Sequence, residues 1–125
     1  MQNYRESYRA LAGIIKQVVE LRSDDQTDEY GVLRATEHAC KRSCQLLADA
    51  ATLSARDGQP IPRGCASTDS EGGVRIDWMR PSAAVCLMVP ASATRAASVY
   101  HEVSGECSTE PATPEALARW LRGIS

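Results

Sequence analysis

The chain has 125 residues, 43% hydrophobic and 24% charged, the size of one globular domain with enough apolar material for a core that needs no disulfide or structural metal. Its 14 basic and 16 acidic side chains give a formal charge of -2, with 8 and 9 of them in residues 1–58 and 6 and 7 in residues 59–125, so no basic arm exists for a broad grip on nucleic acid or anionic lipid. No apolar run approaches the ~20 residues of a membrane span. The polar start Met1-Gln2-Asn3-Tyr4-Arg5-Glu6 predicts no signal peptide, and hence a cytoplasmic protein whose five cysteines (Cys40, Cys44, Cys65, Cys86, Cys107) stay reduced.

Tyr4, Tyr8, Leu11, Ile15 and Val18 recur at helical spacing and predict a first helix with a charged outer face. Ser23 to Asp28 offers several N-caps, so a turn and a second helix from about Asp28 to Arg56 are expected. The stripe of that helix, Leu33, Cys40, Cys44, Leu47 and Ala51, is rich in small residues and suits an antiparallel helical hairpin with the first helix. Asp57-Gly58 ends it, and Pro60 and Pro62 prevent resumption.

Residues 59–73 read as an extended surface connection. Val74, Ile76 and Trp78 then alternate with Arg75, Asp77 and Met79, and Val85, Leu87 and Val89 with Cys86 and Met88, which makes a hairpin turned by Arg80 to Ala83. Ser98 to Val103 is a third strand, with Tyr100 and Glu102 opposite Val99, His101 and Val103. Thr113-Pro114-Glu115 opens a closing helix through Ile124. The expected fold is therefore α+β: an N-terminal helical hairpin, a three-stranded antiparallel meander over residues 74–103 and a short C-terminal helix over residues 113–124, in one domain.

The proline-rich approach from Pro62, Gly72-Gly73, the strand Val74-Arg75-Ile76-Asp77-Trp78 and a second strand from Val85 to Val89 together resemble a hairpin pattern of short uncharacterised bacterial proteins. The resemblance implies the helix-then-meander order and no activity, cofactor or site residue.

No motif has the spacing of a catalytic or cofactor site. Gly72-Gly73 precedes a strand, beside Asp69 and Glu71, and is no phosphate loop. The main expectation is a non-enzymatic adaptor or regulatory module without cofactor, binding another protein or itself through the helical hairpin and the second sheet face, where Arg75, Met79, Met88 and Tyr100 are the anchor types. A thiol-dependent enzyme or redox sensor at Cys65, with His101 as base, is the competing reading. A zinc or redox sensor at Cys40 and Cys44, i,i+4 on the second helix, with Cys65, Cys86, Cys107, His38 and His101 available as further zinc ligands, is a third.

Overall fold

The alternation in Val74 to Met79 commits one face of a strand to burial, and the fold is organised around that face. The computed structural model describes residues 2–23, 27–28, 31–32 and 34–124, with side chains over 9–21 and 34–124. In chain order its elements are α1 (Gln2–Ser23), β1 (Thr27–Asp28), β2 (Gly31–Val32), α2 (Glu37–Arg56), β3 (Cys65–Thr68), β4 (Val74–Arg80), β5 (Ala83–Val89), β6 (Ser98–Val103), β7 (Glu106–Pro111) and α3 (Pro114–Arg122).

The class is α+β, but the main sheet has five antiparallel strands in the order β3-β4-β5-β6-β7, not three. Both additional strands are edges. β3 lies inside the segment expected to be a surface connection and pairs Cys65 with Asp77 through Thr68 with Val74. β7 lies inside the polar stretch after Val103 and pairs Glu106 with Val103 through Pro111 with Ser98. Ser104 (φ 53°) and Gly105 (φ 83°) both adopt positive φ in the two-residue turn between β6 and β7, the conformation whose twist matches a hairpin.

The helical hairpin is also corrected. β1 and β2 form a separate two-stranded ribbon between α1 and α2, where a simple turn was expected. α2 begins at Glu37, because Thr36 is the cap: its side chain accepts from the Ala39 N–H, whereas Gly31 and Val32 lie in the ribbon. The expected helical position of Leu33 and the side chains of Tyr4 and Tyr8 lie outside the described residues. α2 then packs between α1 and α3 instead of pairing with α1 alone. Ala39, Ser43, Ala50 and Ser54, all buried on α2, let neighbouring helices approach closely.

The three helices form one layer. α1 lies against β3, α2 over β4 and β5, and α3 over β5 and β6. Between helices and sheet, Ile14, Val18, Leu46, Leu47, Ile76, Trp78, Val85, Leu87, Val99, Leu117 and Leu121 are almost wholly excluded from water. Each such aliphatic or aromatic side chain contributes roughly 1.5–3 kcal/mol through its burial. Trp78 is the largest, and its Nε1–H donates to the Pro62 carbonyl at 2.9 Å, which satisfies its polar atom inside the core. Gly64 covers the indole so closely that a Cβ there would stand 2.7 Å from Nε1. Gln17 of α1 accepts from the backbone N–H of Ala66 at 2.7 Å and so ties the helix to the β3 edge.

Candidate functional site

Because side chains alternate along each strand, the residues that do not face the helices share the other face of the sheet. Register places Cys65, Asp77, Cys86, Tyr100 and Thr109 side by side in one row across all five strands. A second row holds Ser67, Arg75, Met88, Ser98 and Pro111, and a third Met79, Ala84, Glu102 and Cys107. Arg75, Met79, Met88 and Tyr100, the four anchor residues read from the sequence, therefore all stand on this face. Among the described residues no helix covers it.

The face is polar and internally bonded. Arg75 Nε donates to both carboxylate oxygens of Asp77, at 3.1 and 3.2 Å. Cys86 is 5% exposed in the middle of the row. Burial first, then its hydrogen bond to Asp77 and that carboxylate's charge, push its thiol up to about 12, while Arg75 pulls the other way. Tyr100 donates its hydroxyl to Glu102 Oε2 at 3.3 Å. Its hydrogen bond with Cys107 leads the causes that push the phenol up to about 12, followed by desolvation and the neighbouring negative charges. Both groups keep their protons at neutral pH, so neither is a ready nucleophile. Met79 is 67% exposed and stands at the mouth of a cleft of about 320 Å³, lined also by Ala84, Glu102 and the two hairpin turns.

The thiols expected to carry chemistry are not brought to a base. Cys65 is exposed on the open face of β3, whereas His101 points to the helix side of β6, with β4 and β5 between them. His101 instead stacks on Trp120, with ring centroids 3.5 Å apart and planes 13° off parallel. Its Nε2 lies 3.5 Å from Glu110 Oε2, which also accepts from Trp120 Nε1 at 3.2 Å, while Arg119 donates to the other carboxylate oxygen at 2.6 Å. This arrangement orients the imidazole within the helix–sheet layer. Cys40 is buried with its thiol donating to the Val18 carbonyl, and burial raises the half-buried Cys44. Among the described residues no three His, Cys, Asp or Glu side chains converge as metal ligands.

Sequence reasoning placed Asp77, Cys86 and Glu102 on the same face by alternation, but it gave Asp77 and Glu102 no part in a site and considered Cys86 only as a further zinc ligand. The place of Cys107 and Thr109 on this face was missed with the strand that carries them, and its signal was the Ser104-Gly105 turn. Among the described residues no helix is long and apolar enough to cross a membrane. No protein-family model, no curated protein and no solved structure matches this chain.

Proposed function

We propose that the protein is a non-catalytic interaction module, and that the open face of its sheet docks a second copy of the same chain. The observation that carries this reading is the exposed Met79 beside a cleft large enough for a side chain, on a face that no described helix covers. A copy turned about a nearby two-fold axis offers its own Met79 to that cleft, a reciprocal arrangement natural to a symmetric dimer. Charges of both signs, Arg75 on β4 and Glu102 on β6, make the face complementary to itself and ill suited to nucleic acid, which asks for basic and stacked aromatic side chains.

Five strands ~4.8 Å apart and four to seven residues long offer about 400–500 Å² per partner. That is the small end of specific interfaces, the size of weak, reversible contacts. Five free cysteines suit the reducing cytoplasm. The thiol-dependent reading has less support, since Cys65 lacks an imidazole neighbour and Cys86 holds its proton.

Sedimentation equilibrium over a range of concentrations tests the proposal. A monomer–dimer equilibrium that Met79→Asp and Tyr100→Ala each shift toward monomer, with circular dichroism unchanged, is expected. A monomer throughout, or a dimer indifferent to both substitutions, overturns it.

A further inference from the structure

A cleft of about 250 Å³ lies on the helix side of the molecule, between the first half of α2, the connection from β5 to β6 and the end of β7. His38 and Arg42 line it from α2 at i,i+4 spacing, which puts them on one face of the helix. Pro90, Ala97 and Pro111 supply apolar walls, and Arg95 stands at the rim.

The walls are held in place. Thr36 Oγ1 donates to the Ala91 carbonyl at 2.8 Å, and the Ala112 N–H donates to the Ala97 carbonyl at 3.0 Å, so the connection is pinned at both ends. Arg95 pairs with Glu71 at 3.2 Å, which matches its charge. Arg42 is half-buried, and among the described residues it makes no hydrogen bond or ion pair. No acidic residue lines the cleft.

An arginine whose stem is partly buried against the cleft and whose donors meet no carboxylate offers a planar fork that a bound anion can take up. We infer that this cleft binds a small organic carboxylate, a monoanion with a compact apolar body. Arg42 receives the carboxylate on its planar fork, His38 adds a ring N–H, and the alanine and proline walls take the apolar part. One unmatched positive charge argues for a monoanion, and the volume, below the ~300–1,000 Å³ of drug-sized pockets, argues for a small body.

Titrations of the full chain with benzoate, benzamide and inorganic phosphate, followed by amide chemical shifts, test the inference. Benzoate is expected to shift the amides around His38, Arg42 and residues 93–97. Arg42→Gln is expected to weaken it about tenfold or more and His38→Gln by less. Benzamide, of the same shape without charge, is expected to bind far more weakly. Both substitutions are at partly buried positions on α2, and an unchanged thermal midpoint establishes that the variants fold. No saturable shifts with benzoate up to roughly 10 mM, or Arg42→Gln binding as the parent chain does, overturns the site. Phosphate binding as well as benzoate overturns the apolar half of the assignment.

Discussion

The two faces of the five-stranded sheet come from the same strands, offset by one residue, yet they have opposite characters. Toward the helices stand Val74, Ile76, Trp78, Val85, Leu87 and Val99, all at most 1% exposed. Toward the open side stand Arg75, Asp77, Cys86, Tyr100 and Glu102, where Arg75 bonds Asp77 and Tyr100 bonds Glu102 along the surface. Stability resides in the first set because burial of apolar surface dominates folding, and the second set is free to serve recognition. Substitutions that respect this division should move either folding or association.

The largest separation is expected at Trp78→Ala. Lost burial, the cavity and the unpaired Pro62 carbonyl should together lower stability by about 3–5 kcal/mol, read by chemical denaturation. Next is Gly64→Ala, which drives a methyl group against the Trp78 indole and should cost about 1–3 kcal/mol.

Alkaline pH tests the open face. The folded state holds the Cys86 proton up to about 12 against an ordinary value of 9.0, so its contribution is present below pH 9 and lost as pH rises toward 12. Tyr100 acts in the same direction from 10.0 to about 12. Unfolding free energy should therefore fall across that window, and Cys86→Ala should flatten the descent. Smallest of all, Arg75→Ala and Tyr100→Ala should leave folding within about 1 kcal/mol while weakening self-association. If Tyr100→Ala unfolds the chain and Trp78→Ala does not, the division between the faces is reversed.

The same division explains what was legible in the sequence. β4, β5 and β6 turn large apolar side chains toward the helices at every second position, so Val74-Arg75-Ile76-Asp77-Trp78 and its neighbours alternate visibly. Cys65-Ala66-Ser67-Thr68 puts only Ala66 and Thr68 toward the helices, and Glu106, Ser108 and Glu110 of β7 occupy the inward positions without an apolar side chain. An edge strand carried by its ladder of hydrogen bonds leaves no hydrophobic period to read. The start of α2 was displaced for another reason: the acids at Asp24, Asp25 and Asp28 mimic a helix N-terminus, while the working cap is Thr36. The open face was accessible in part, since alternation groups Arg75 with Met79 and Tyr100 with Glu102. Its thiol members at the two edges became visible only with the five-strand register.

The contact of Gln17 with β3 bears on the fate of the protein when it is crowded. An outer strand with vacant amides is a template on which further chains can add, the route to fibres. Here one glutamine carbonyl from α1 takes the Ala66 amide, so lateral growth at that border requires the helix to let go first. α1 is then a guard on the border as well as part of the core, and loosening it exposes a polymerisable edge before the remainder of the fold is lost.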